Sequence, residues 1–302
     1  MTKKLGREAF GRARQFLLTG GARKLEAALF RYEFERGSIE DVYLELEKFQ
    51  NDDGGFGRAL EPDLRCAASS ALATTTALQL LLSENIRNEA MIGRAMQYLV
   101  NSYNDNRTGW DIIPKEAELS SRAIWWNYGA FEDHWGNPNA EIVGYFNVVP
   151  VAGHSDLTAE LNDYASQYLQ EKSDLKEMHE MLCYVRWANT LSKEAYEAIG
   201  NKLDEFIDNC VARMPEDRIG YGCPPLMLVD SPKSRYYAKY EAVIPGDLDQ
   251  MIESQGADGT WLPNWTWGRF EDEWETAKTE WQGIITLNSL RTLRRFGRLD
   301  TE

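Results

Sequence analysis

A loop-forming stretch that occurs twice, at a fixed distance, constrains this chain more than any other feature. Residues Gln50–Asp63 read QNDDGGFGRALEPD, with three glycines within four residues, one phenylalanine and four carboxylates. Gln255, Asp258, Gly259 and Trp261 repeat Gln50, Asp53, Gly54 and Phe56 at an offset of 205 residues. Thr279 stands at the same offset from Thr74, in the helical pattern that follows each loop. Glycines this dense belong to a connection rather than to a helix interior. A connection that recurs with its flanking helices marks a chain assembled from repeated units.

Apolar residues at helical spacing fill most of the remaining sequence. Patterns run over 4–18, with Phe10, Ala13, Phe16 and Leu17, and over 22–36, with Leu25, Ala28, Leu29 and Tyr32. Ser38 opens a third as an N-cap, and it carries Val42, Leu44, Leu46 and Phe49 into the first loop. Further helices are predicted near 69–82, 87–103, 139–148, 156–171, 174–191, 193–213, 234–254 and 276–296, with Gly297 ending the last. A turn is expected at Gly136-Asn137-Pro138, and Pro215 and its glycine-rich surroundings break the chain. Alternating strand patterns are missing, so the chain reads as all-α and built from hairpins. A glycine closely followed by a ring recurs at Gly54/Phe56, Gly109/Trp110, Gly220/Tyr221 and Gly259/Trp261. That loose period of about 50 residues gives about six helical hairpins, which must stack openly or close into a ring. No linker interrupts the series, so a closed ring forming one domain over 1–302 is expected.

Composition narrows the partners. A net charge of −15 disfavours nucleic acid and anionic lipid surfaces, both of which demand a basic face. The cysteines at 66, 183, 210 and 223 have no C-x-x-C spacing, and a chain of this size needs no disulfide. No window is long and apolar enough to span a membrane, and the basic N-terminus lacks a signal-peptide core. A cytoplasmic protein is the resulting expectation.

The two loops with their lead-in helices, DVYLELEKFQNDDGGF and GDLDQMIESQGADGTW, resemble the Gln-Trp repeats of squalene–hopene cyclases and related prenyltransferase-like proteins. The resemblance implies that Gln50 and Gln255 cap helix ends while Phe56 and Trp261 stack beside them. It implies an α/α toroid of about six helical hairpins around a central cavity, and an activity on isoprenoid or similar substrates. The family's catalytic signatures are mostly absent. The nearest string to Asp-x-Asp-Asp is Asp247-Leu248-Asp249-Gln250, where aspartates suit a helix start. Asp208-Asn209-Cys210 has the zinc spacing of protein prenyltransferases, but His134, His154 and His179 all precede it. Asp52-Asp53 lies in a glycine turn that favours short acids in any case. No metal or other cofactor is expected.

Residue chemistry then selects candidates. Glu61 and Asp63 lie close to Arg65 and suit a proton donor and its tuner. Trp265, Trp267, Arg269 and Glu271 lie in a stretch of five tryptophans among carboxylates, where ring faces stabilise cations or stack on sugars. Trp125 and Trp126 extend that aromatic set, and His134 suits proton transfer. If the ring closes, the loop at 57–65 and the loop at 263–275 meet at one mouth. Glu61 or Asp63 would then be a catalytic acid with Glu271, and Trp265 and Trp267 would hold the substrate. The competing readings are a carbohydrate-active hydrolase or lyase on the same toroid and a binding protein without chemistry. Because no histidine follows Asp208-x-Cys210, elemental analysis of the purified protein is expected to find no stoichiometric zinc; about one zinc per chain would restore the protein-prenyltransferase reading.

Overall fold

The computed structural model describes residues 2–83, 85–214, 217 and 222–300. Gly220/Tyr221 and Pro215 lie outside the described residues. The order of elements is α1 (Arg7–Thr19), α2 (Lys24–Glu35), α3 (Ile39–Glu47), α4 (Ala71–Leu81), α5 (Glu89–Asn101), α6 (Gly136–Val148), α7 (Ser155–Glu171), α8 (Met178–Ala188), α9 (Lys193–Cys210), α10 (Pro225–Leu228), α11 (Tyr237–Tyr240), α12 (Ile244–Glu253) and α13 (Glu271–Arg295). Among the described residues, extended pairing is limited to isolated bridges. The protein is all-α.

Two compact units form, one from 46–210 and one from 1–45 with 211–302. In the first, α4 and α5, α6 and α7, and α8 and α9 are successive packed pairs, with α6 also against α4 and α8. Burial divides these helices. Along α8, Met178, Glu180 to Val185, Trp187 and Ala188 are all buried, and α6 is buried from Pro138 to Phe146. Helices buried on every side are core helices. The partners α7 and α9 bury only the narrow stripes Leu161, Ala165, Leu169 and Ile199, Leu203, Phe206, Ile207. Gly136 and Gly144 let α6 approach α8 closely, since a Cβ at Gly136 would stand 2.5 Å from Tyr184 and one at Gly144 would stand 3.2 Å from the Trp187 Cα.

In the second unit α1, α2 and α13 pack on one another, and α10 packs on α12. Glu33 on α2 accepts from Arg291 Nε at 2.9 Å and from Arg294 Nη2 at 3.0 Å, tying α2 to α13. The two ends of the described chain also join here. Leu5 pairs with Leu299, with Leu5 N–H donating to Arg298 O at 2.8 Å and Asp300 N–H to Leu5 O at 3.0 Å. The buried Arg298 donates to Asp249 Oδ1 at 2.6 Å and to Pro245 O at 3.0 Å.

The repeated loops share one hydrogen-bond plan. Gln50 Nε2 donates to Gly54 O at 2.8 Å and to Met91 O on α5 at 3.1 Å. Gln255 Nε2 donates to Gly259 O at 2.8 Å and to Ala9 O on α1 at 3.2 Å. Asp53 Oδ1 accepts from Gly55 N–H at 3.0 Å, and Asp258 Oδ1 from Thr260 N–H at 3.1 Å. The ring residue's N–H then meets a polar side chain on the next helix: Phe56 with Thr74 Oγ1 at 3.0 Å and Trp261 with Thr286 Oγ1 at 3.2 Å. Trp110 follows suit with Asn139 Oδ1 at 2.9 Å.

Three expectations need correction. Thr286, rather than Thr279, is the counterpart of Thr74. The receiving side chain lies 18 residues after Phe56 but 25 after Trp261, because α13 starts well before the contact point, and Thr279 instead donates to Glu275 O of its own helix. The helix expected over 234–254 is two, α11 and α12. Pro245 lies at the start of α12, and without an N–H it is tolerated only in a first turn. Finally, α13 begins at Glu271, five residues before its apolar pattern, because Glu271, Asp272 and Glu273 complement the positive end of its dipole.

Gly54 has φ +90 and a Cβ there would stand 2.4 Å from Arg94 O; Gly259 has φ +87 and its Cβ would stand 2.4 Å from Arg12 Cβ. Gly93, one residue away from the Arg94 contact, has open space around it. Gly54→Ala and Gly259→Ala are therefore each expected to cost more than about 2 kcal/mol through strain and overlap. Gly93→Ala is expected to stabilise α5 by about 0.5–1 kcal/mol. Chemical denaturation of the three variants checks the order.

Candidate functional site

The acid-bearing loop is not a surface loop. Ala59, Leu60, Glu61, Pro62, Asp63 and Leu64 are all buried, with Glu61 9% and Asp63 3% exposed. Arg58 and Ala59 enter it with left-handed backbone, at φ +55 and +61, without glycine at either position. Such positions cost of order 1 kcal/mol or more each and persist where the surroundings over-determine them. Two tight turns follow, Leu60 N–H to Gly57 O at 3.1 Å and Leu64 N–H to Glu61 O at 3.1 Å.

A second loop is paired to this one. Leu64 bridges Arg122, with Arg65 N–H donating to Ser121 O at 3.0 Å and Ala123 N–H to Asp63 O at 2.9 Å. Arg122 is 5% exposed and holds the second loop in shape. Its guanidinium donates to Trp126 O at 2.6 Å, Ser120 O at 3.0 Å, and the carboxylate of Glu118 at 2.7 Å. The structure thus brings Glu61, Asp63 and Arg65 onto the segment that carries Trp125 and Trp126. Trp125 is half-buried and Trp126 is 7% exposed. The Trp126 ring lies 5.6 Å from that of Phe131, which lies 6.4 Å from His134.

His134 is oriented by a carboxylate. Its Nδ1 lies 3.1 Å from Glu180 Oε2 on α8, which Lys172 Nζ also approaches at 3.1 Å. Gly136 N–H donates to the other Glu180 oxygen at 2.9 Å. Burial raises the Glu180 carboxyl above its ordinary range, against the pull of Lys172, the Gly136 amide and His134. Glu177 shifts the other way. Burial opposes ionisation, but hydrogen bonds from the His179 ring, His179 N–H and Glu180 N–H outweigh it and hold the carboxyl low.

Trp265, Trp267, Arg269 and Glu271 belong to the other unit. Trp265 meets Trp281 edge-on at 5.2 Å, and Trp267 is fully buried against Trp274 at 5.9 Å. Arg269 lies over the Phe270 ring at 5.6 Å, and Glu271 is exposed in the first turn of α13. Asp249, in the string nearest to Asp-x-Asp-Asp, holds Arg298 and so tethers the chain ends.

Sequence reasoning passed over one polar band. Glu180, Cys183 and Arg186 follow one another at intervals of three along α8, and all three meet α6, Glu180 through the Gly136 amide and Cys183 and Arg186 through Glu141. Glu141 on α6 meets this band, accepting from Arg186 Nη1 at 2.9 Å and from the Tyr145 hydroxyl. Burial, then the adjacent Glu141 carboxylate, pushes the Tyr145 hydroxyl and the Cys183 thiol well above their ordinary values. A buried thiol held protonated is chemically inert. The i+3 spacing was the available signal.

A cleft of about 640 Å³ opens between the α6–α7 and α8–α9 connections. Its polar floor is self-contained: Asn147 and Asn162 exchange amide hydrogen bonds at 3.0 and 2.8 Å, Asn147 also donates to Thr190, and Trp187 Nε1 donates to Asn162 Oδ1 at 2.9 Å. These amide hydrogens are all committed, so the network holds helices together and offers a ligand little. Comparison with family models, with curated proteins and with solved structures finds no match to this chain.

Glu177 lies at the N-cap of α8 and its depressed pKa makes a stability statement. The contribution is fully present at neutral pH and is lost as pH falls through the lowered pKa. Glu177→Ala is expected to cost about 1 kcal/mol at pH 7, as for loss of a helix cap. The difference from wild type should shrink as pH falls below the ordinary carboxylate range, which thermal melts across that range would measure.

Proposed function

We propose that the chain is an α/α toroid of about six helical hairpins that acts by acid catalysis on an uncharged isoprenoid or similar apolar molecule. Glu61 or Asp63 is the proton donor, and Trp125 and Trp126 wall the substrate. Two loops with one hydrogen-bond plan, and a third that shares its ring N–H bond, support the repeat architecture, and the Leu5–Leu299 pairing supports its closure. The observation that carries the chemistry is the acid loop itself. Connecting segments ordinarily run over the surface, yet here six successive non-helical residues are buried with two carboxylates among them. The net charge of −15 favours an uncharged substrate over a diphosphate.

In this reading one carboxylic acid transfers its proton to a substrate double bond, leaving a carboxylate and a carbocation. Indole faces stabilise the cation electrostatically. Loss of a proton from the cation to the second carboxylate returns a neutral product. Arg65 and His134 lie on the two segments flanking this site and tune its charge.

Incubation of the full chain with squalene and with linear prenyl alcohols, followed by mass spectrometry of the extract, tests the proposal. Conversion of an isoprenoid is expected, and Glu61→Gln or Asp63→Asn should abolish it with a nearly unchanged Tm. A lower Tm with unaltered specific activity would make the loop a packing element. Cleavage of oligosaccharides in the same assay would transfer the two carboxylates to glycoside chemistry.

A further inference from the structure

Four buried indoles in this protein share a pattern, each donating its N–H to a protein oxygen. Trp110 Nε1 donates to Leu99 O at 2.7 Å, Trp135 Nε1 to Thr108 O at 3.1 Å, Trp187 Nε1 to Asn162 Oδ1 at 2.9 Å and Trp261 Nε1 to Met251 O at 2.8 Å. Trp126 departs from it. Its side chain is buried, and its Nε1–H has no hydrogen-bond partner among the described residues. An unsatisfied buried donor is destabilising, and phenylalanine would fill the same space without that penalty. The backbone of Trp126 is fixed on both sides, its N–H by Ala123 O at 3.1 Å and its carbonyl by Arg122 Nε at 2.6 Å. The adjoining Phe131 has left-handed backbone at φ +63. A bulky residue held in that region marks a segment shaped for something other than its own stability. The same segment is paired to the loop of Glu61 and Asp63.

We infer that the Trp126 Nε1–H is a ligand-recognition group, donating to a hydroxyl or carbonyl oxygen of an otherwise apolar ligand. The inference rests on the proposed activity and narrows it. The ring supplies apolar contact with the hydrocarbon portion, and the N–H reads the one oxygen that distinguishes an isoprenoid alcohol or ketone from a hydrocarbon. Sites built to hydrogen-bond a ligand oxygen discriminate against the analogue that lacks it, because the protein group is otherwise left unpaired.

Farnesol and the hydrocarbon farnesene form a matched pair of probes. On the ¹⁵N-labelled full chain, farnesol is expected to move the Trp126 indole N–H resonance downfield, and farnesene is not. Trp126→Phe should bind farnesol about tenfold more weakly than wild type, the scale of one lost hydrogen bond. It should bind farnesene unchanged and have an equal or higher Tm without ligand. An unmoved indole resonance with equal farnesol affinity in both proteins would overturn this inference and leave the acid-catalysis reading intact. Failure of wild type to bind either probe or any other isoprenoid would overturn both. If Trp126→Phe does not fold, the wild-type resonance, assigned through its backbone, still decides between a shift that supports the inference and a constant position that ends it.

Discussion

A single side-chain amide holds each of the two equivalent loops to a neighbouring helix. Gln50 bonds the carbonyl of its own loop at Gly54 and that of Met91 on α5, while its oxygen accepts from Arg94. Gln255 performs the first two of these tasks with Gly259 and with Ala9 on α1. One of these carbonyls belongs to irregular loop backbone, where leaving it unpaired would cost about 1–3 kcal/mol, and the other to the first turn of α5 or α1, so one amide satisfies the loop and ties it to a helix. The positive-φ glycine two residues before the ring follows from this arrangement. The loop must touch the neighbouring helix for the amide to reach across, and there is no room for a Cβ at the touching point. Ring burial, glycine and glutamine are therefore one device.

Charge is handled differently from backbone. The α6–α8 interface buries Glu141 and Glu180, with 2% and 0% exposure, an expensive choice for helices that otherwise pack through glycines and rings. Each carboxylate is matched: Glu141 by Arg186 and the Tyr145 hydroxyl, Glu180 by Lys172, His134 and a backbone amide. Removing one partner would strand a charge, so these groups act together. Their immediate effect is positional, since the Glu180 carboxylate sets the His134 ring and the Gly136 turn from which α6 starts.

Much of the framework was legible in the sequence because it rests on local rules. The helices of the first unit begin and end near their expected positions, with Ser70 and Asn88 capping α4 and α5, and the 205-residue echo reports a true equivalence of hydrogen bonds. What escaped was set by contacts distant in sequence. Thr286 could not be separated from Thr279 without knowing where α13 crosses its loop. The pairing of Leu64 with Arg122 joins two irregular segments whose local sequence has no strand pattern, so the meeting of Glu61 and Asp63 with the Trp125–Trp126 segment had no signal. The band on α8 had a signal in its spacing of three, hidden among rings and methionines that read as ordinary core.

The pairing of Leu5 with Leu299 lays two segments far apart in sequence side by side. With these residues already hydrogen-bonded side by side, a short covalent link between them would ask for little rearrangement. The chain's break could then be moved to a connection such as that at Gly153, which has φ +79, open space around it and an exposed position between α6 and α7. Circularly permuted chains tolerate such a transfer when the old ends are adjacent and the new ones exposed. Here the N-terminal helix α1 would become the covalent successor of the C-terminal helix α13, whose loop it already receives through Ala9 O. Synthesis would then deliver the last loop, α13 and the receiving helix α1 in succession, shortening a contact that spans 246 residues of the present chain.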